Sequence, residues 1–202
     1  MDINQLKDYK VEYETTIWDY VSVSALGVVT FFQTPYQQGT SPLVGSGTKT
    51  LSDTSMRNAG LLPTGWAFKA RSFGFQIANN VVFGDGTSTY LADAMKVLQS
   101  SIVTMNKNNL TYDLGRAVSW PGGNQAYASS LYRANGNATI NSAAFSVTNG
   151  IPTYAGMREF SVDGWLLRGG ETFTIDLDVG IVPTAPVILR AVFFGVASKN
   201  IV

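Results

Sequence analysis

From Phe173 to Val179 apolar and polar residues alternate without a break: Phe173, Ile175, Leu177 and Val179 against Thr174, Asp176 and Asp178. Successive side chains of a strand point to opposite faces, so this segment predicts a strand with one dry face and one wet face. A turn bracketed by Pro183 and Pro186 leads to Val187-Ile188-Leu189-Arg190-Ala191-Val192-Phe193-Phe194-Gly195-Val196. That nearly unbroken apolar run predicts a strand covered on both faces. Such strands need a second packed layer, and the rest of the chain offers strands for it.

Val21, Val23 and Ala25 alternate with Ser22 and Ser24, and residues 28–32 extend the β-rich run. Gly27 inside it suits a bulge or a close backbone approach. Trp66, Phe68 and Ala70 share one strand face, whereas Phe73, Phe75 and Ile77 run in the opposite phase. A bulge between Ala70 and Phe73 accounts for the slip. Residues 102–105 and 110–112 flank an Asn-Lys-Asn-Asn turn, and Phe160 and Val162 lead through Asp163-Gly164 to residues 165–167. The one helical pattern spans residues 89–98, with Leu91, Ala94, Met95 and Leu98 on one face and Ser88 or Thr89 as its cap.

Residues 36–65 and 115–153 are rich in Gly, Ser, Thr, Asn and Ala and show little periodicity. Segments of that length are expected to carry short strand fragments or contacts with neighbours. The N-terminus is charged: Asp2, Lys7, Asp8, Lys10, Glu12, Glu14 and Asp19 precede Tyr20. Residues 1–19 therefore read as an arm, either frayed or docked on a neighbouring subunit, ahead of a single domain at 20–202. About eight antiparallel strands, one short helix and two long loops make an all-β sandwich or barrel. The eight-strand closure with long crossing connections is the single jelly roll.

Histidine and cysteine are both absent. Their absence excludes a Ser-His-Asp triad, a Cys nucleophile, a zinc finger, a His-ligated metal and any disulfide. Fourteen Lys+Arg balance 14 Asp+Glu, which argues against a strongly basic nucleic-acid-binding surface. No segment approaches the roughly 18 consecutive apolar residues of a transmembrane helix. Residues 1–8 lack the basic-then-apolar order of a secretory signal, so cytosolic synthesis is expected.

Carboxylates are the main catalytic currency left. Asp176 and Asp178 project from one strand face about 7 Å apart, a spacing open to a divalent cation or a glycosidase pair. No third acid is near in sequence, so a solvated strand face is favoured. Asp85 in Gly84-Asp85-Gly86 resembles a fragment of a calcium loop without its spaced acids. Gly45-Ser46-Gly47-Thr48-Lys49-Thr50 has the residue types of a phosphate loop but not the spacing. Lys69 and Arg71 on one strand face are a weak electrostatic footprint. No catalytic residue, metal site or cofactor is expected, and the chain does not read as an enzyme.

The residues left as candidate interface positions are aromatic. Trp18 lies where the arm meets the body, and Tyr127 and Tyr132 lie in the second long loop. Trp120, before Pro121-Gly122-Gly123, reads equally well as an interface anchor or as a side chain packed locally. Trp66 and Trp165 fall in strand patterns and are expected in the core.

One strand ends in Phe31-Phe32-Gln33-Thr34-Pro35, and after an excursion come Asp53-Thr54-Ser55-Met56 and Leu61-Leu62-Pro63-Thr64-Gly65-Trp66-Ala67-Phe68. The chain closes through Leu166-Leu167-Arg168-Gly169-Gly170-Glu171-Thr172-Phe173 and the run from Val187. In this order it resembles the jelly-roll capsid proteins of tailless icosahedral viruses, especially phages with a single upright jelly roll per chain. The likeness covers residues 20–198 in architecture and rests on short motifs. It implies a structural subunit of the virion that self-assembles into capsomers of an icosahedral shell around the genome, in some relatives over an internal lipid membrane. The partners it implies are copies of the chain and other capsid proteins, with no sequence-specific nucleic-acid binding. The alternative is a carbohydrate- or receptor-binding spike or vertex protein, with Trp120, Tyr127, Tyr132 and Tyr154 as a stacking surface. A β-sandwich hydrolase resting on Asp176 and Asp178 ranks third.

Overall fold

The computed structural model describes residues 10–78, 89–122, 126–131, 144–149, 156–160 and 164–200. Its elements are β1 (Lys10–Val23), β2 (Gly27–Phe31), β3 (Trp66–Ile77), α1 (Thr89–Ser100), β4 (Ile102–Lys107), β5 (Leu110–Arg116) and β6 (Ala126–Leu131). They continue with β7 (Ala144–Asn149), β8 (Arg158–Glu159), β9 (Trp165–Arg168), β10 (Phe173–Val179) and β11 (Val187–Asn200).

The strands pair as a ribbon folded back on itself. β4 meets β5 across a turn at Asn108 and Asn109, which take positive φ of 49° and 64°, a region asparagine tolerates. Outward from that tip, β3 meets β8 and β9, β2 meets β10, and β1 meets β11, all antiparallel. Rolling the ribbon adds two contacts, β11 beside β3 and β10 beside β4. The sheets are therefore β1-β11-β3-β8, with β9 also on β3, and β2-β10-β4-β5. This is the jelly roll expected from the sequence, with β8 and β9 sharing one of its eight positions. β6 and β7 form a separate hairpin within the second long segment.

Two boundaries differ from expectation. The arm read at residues 1–19 is already strand by Lys10, and β1 runs in unbroken register with β11 from Lys10↔Asn200 to Val23↔Val187. Glu12 and Glu14 are exposed on it, so the charge of one wet face imitates a solvated tail. Residues 1–9 lie outside the described part. The run read from Tyr20 to Phe32 divides at residues 24–26, where the chain passes from one sheet to the other and enters β2 at Gly27 with φ 107°.

The phase slip in β3 is a bulge. Phe194 faces Ser72 and Gly195 faces Ala70, which leaves Arg71 as the extra residue. β10 alternates as expected, with Phe173, Ile175, Leu177 and Val179 buried. Across the gap between the sheets Phe31 meets Phe75 at 5.6 Å and Phe32 meets Phe193 at 5.5 Å, while Phe73 and Phe193, paired on β3 and β11, lie 4.8 Å apart. Each such pair adds about 0.5–1.5 kcal/mol beyond the area it buries. Helix α1 buries Ala94, Val97 and Leu98 in the same core, with Met95 packed against it. Asp93 ties the helix to the β10–β11 connection by accepting from the Thr184 N–H at 2.8 Å. Ser88, one of its two expected caps, lies outside the described residues, as does Asp85.

Candidate functional site

Trp120 is an internal residue. It is buried, its Nε1 donates to the Leu114 carbonyl at 2.8 Å, and its ring meets Phe73 at 5.7 Å and Phe160 at 5.6 Å. The Arg158 guanidinium covers it at 4.5 Å. Of its two sequence readings, local packing is the one the fold supports, because the chain after β5 turns inward along the edge of β3. There the Phe75 N–H donates to the Trp120 carbonyl at 2.9 Å.

Trp18 is half-buried on the outer face of β1, opposite Val192 of β11. The Arg190 guanidinium lies 5.1 Å from its ring and 5.5 Å from that of Tyr20, and Arg190 Nη1 donates to Gln76 Oε1 at 3.0 Å. Trp18 thus has a contact within the chain and keeps part of its surface open. Tyr127 lies on β6 opposite Thr148; Tyr132 and Tyr154 are outside the described residues. Trp66 and Trp165 are partly buried against the core, edge-on to Tyr13 and Tyr112.

The two strand carboxylates have different surroundings. Asp176 accepts from Thr30 Oγ1 and Asn106 Nδ2, each at 2.7 Å, in a polar ladder across β2, β10 and β4. Asp178 stands exposed further along the face. Among the described residues no group of three or more acids could hold a metal ion. Arg71 pairs with Glu14 at 3.0 Å in the open, a contact worth about 0–1 kcal/mol.

A buried ionic node went unforeseen. Asp19 is in phase with Ile17, Val21 and Val23, so its side chain points inward and is 0% exposed. Asp19 Oδ1 takes Lys49 Nζ at 2.7 Å, and Oδ2 takes the Phe32 N–H at 2.7 Å. Phe32 has φ 68°, a left-handed conformation that costs a bulky residue on the order of 1–3 kcal/mol. Asp53, also fully buried, accepts from Thr50 N and Oγ1 and from Ser41 Oγ at 2.7–2.8 Å. The segment between β2 and β3 is thus folded around two acids and stitched to β1 by Tyr20 N to Asp53 O and Ser55 N to Trp18 O.

Burial pushes the Asp19 carboxyl above the ordinary aspartate range, against the lowering influence of Lys49. Burial acts upward on Asp53 too, but the hydrogen bonds from Thr50, Ser41 and Leu43 outweigh it and hold that carboxyl below the ordinary range. Lys49, the one basic residue of the phosphate-loop-like stretch, is spent on Asp19. Chemically the node is a clamp. The pattern carried a signal for it: an acid at an inward strand position needs a partner, and Lys49 is the only lysine between β2 and β3.

Among the described residues, three surface clefts bear on the question of a site. An apolar one of about 180 Å³ lies between β1 and residues 55–63, lined by Tyr13, Ile17, Met56, Leu62 and Trp66. A polar one of about 460 Å³ lies at the β4–β5 turn, lined by Gln33, Asn106, Asn108, Asn109 and Thr174. The third, about 360 Å³, has hydroxyls of Tyr20, Ser22, Thr30 and Ser41 in its wall. The more distinctive surface is the rim where β1–β2 and β10–β11 turn. Leu26, Val28, Ile102, Val118, Ile181 and Val182 are all exposed near it. No protein-family model, curated protein or solved structure matches this chain.

Proposed function

We propose that the protein is a structural virion subunit, a jelly-roll capsid protein that self-assembles into capsomers of an icosahedral shell. The observation that carries this reading is the jelly roll itself, a rigid sandwich with an apolar rim exposed on its surface. Large exposed apolar patches on a β domain mark association sites more often than solvated surface. The long segment clamped by Asp19, Lys49 and Asp53 fits a wall that must keep its shape under contact. Copies of the chain and other shell proteins are the proposed partners, and the virion is the proposed location. The alternative, a receptor- or glycan-binding head of a virion, is weakened by the burial of Trp120.

Sedimentation velocity over a hundredfold range of protein concentration tests the proposal. Concentration-dependent growth to discrete oligomers or closed particles is expected. A single monomer boundary throughout, with or without other virion proteins, would falsify self-assembly.

A further inference from the structure

The register of β2-β10-β4-β5 sets Val28, Asp178, Ile102 and Arg116 side by side in one row across the sheet. All four are exposed on its outer face, Val28 to 64% and Ile102 to 39%. Strands lie about 4.8 Å apart, so the Asp178 and Arg116 positions flank Ile102 at matching distances. Neither charge has an ion-pair partner among the described residues. Because Gly27 pairs with Val179, Leu26, Ile181 and Val182 in the adjoining turns extend the apolar surface past the end of the row.

We infer that this rim is an isologous contact between two copies of the chain, an inference that rests on the self-assembly reading and gives it a surface. The charges choose the symmetry. A two-fold axis running along β4 above Ile102 sets each Asp178 against the partner subunit's Arg116, with Ile102 meeting its own copy on the axis. An axis across the strands would set Asp178 on its own copy and Arg116 on its own copy, and like-charge repulsion rejects it. The next row holds Thr30, Asp176, Thr104 and Asp113. Under the accepted axis Asp176 would face the partner subunit's Asp113, so close contact stops at the rim and the two polar faces splay apart.

The test is a charge swap on the full chain, read by sedimentation velocity, with thermal melts to confirm that every variant folds. Asp178→Arg and Arg116→Asp should each weaken association by roughly tenfold or more. The double variant carrying both changes should recover most of it, because the pair re-forms with its signs exchanged. Ile102→Glu, which sets two carboxylates on the axis, should abolish the contact. If the wild type associates and the single variants associate equally well, this rim is not the interface. A double variant no better than the singles overturns the proposed axis. A wild type that stays monomeric overturns the self-assembly reading, and this inference falls with it.

Discussion

Asp19 occupies a position where the alternation of β1 calls for an apolar side chain, and two partners make that tolerable: Lys49 on one oxygen and the Phe32 N–H on the other. Asp19→Ala strands a buried ammonium and frees a buried N–H, so it should cost about 3–5 kcal/mol. Lys49→Met should cost less, because burial already favours the protonated Asp19 carboxyl and a proton can replace the lost cation. Urea denaturation orders the two, and a larger loss for Lys49→Met would contradict this account of the node. Asp53 titrates with the opposite sign. Its folded value lies below the ordinary 3.8, so its stabilisation is complete above that pH and drains away as pH falls through the folded value. Asp53→Asn should therefore cost about 1.5–3 kcal/mol at pH 7. The gap to wild type should close only below about pH 3.8, which melting curves from pH 7 to pH 2.5 would show. A gap independent of pH would mean that the charge contributes nothing.

At the scale of elements, the bulge at Arg71 brings β11 unusually close to β3. A Cβ on Gly195 would run into the Lys69 carbonyl oxygen and sit 2.9 Å from the Ala70 Cα. Backbone cannot yield there without opening the sheet, so Gly195→Ala should cost about 1–3 kcal/mol or more, seen as a lowered melting temperature. An unchanged temperature would mean that the bulge has slack. The bulge was legible because Ala70 and Phe73 break a strict two-residue period. β10 was legible because its partners bury one face and leave the other in water. The start of β1 was not, although Val11, Tyr13, Thr15 and Ile17 alternate with Glu12, Glu14 and Thr16. A charged wet face and a charged tail have the same composition, and only the pairing with β11 tells them apart. Trp120 was ambiguous for a related reason: a glycine-rich neighbourhood does not say whether the chain then turns inward.

At the scale of the molecule, strand number and patterning pointed to two packed sheets, and the nested pairing from β4–β5 out to β1–β11 realises them as a jelly roll. Strand periodicity carries no address for the partner strand, so neither the Asp19–Lys49 contact nor the row Val28-Asp178-Ile102-Arg116 was visible before the sheets were assembled. The central claim concerns what that assembled surface is for. Electron microscopy of native protein, purified without denaturant, tests it most directly. Closed icosahedral shells or regular capsomers of this subunit are the expected result. A uniform field of isolated monomers at every concentration examined would contradict the account.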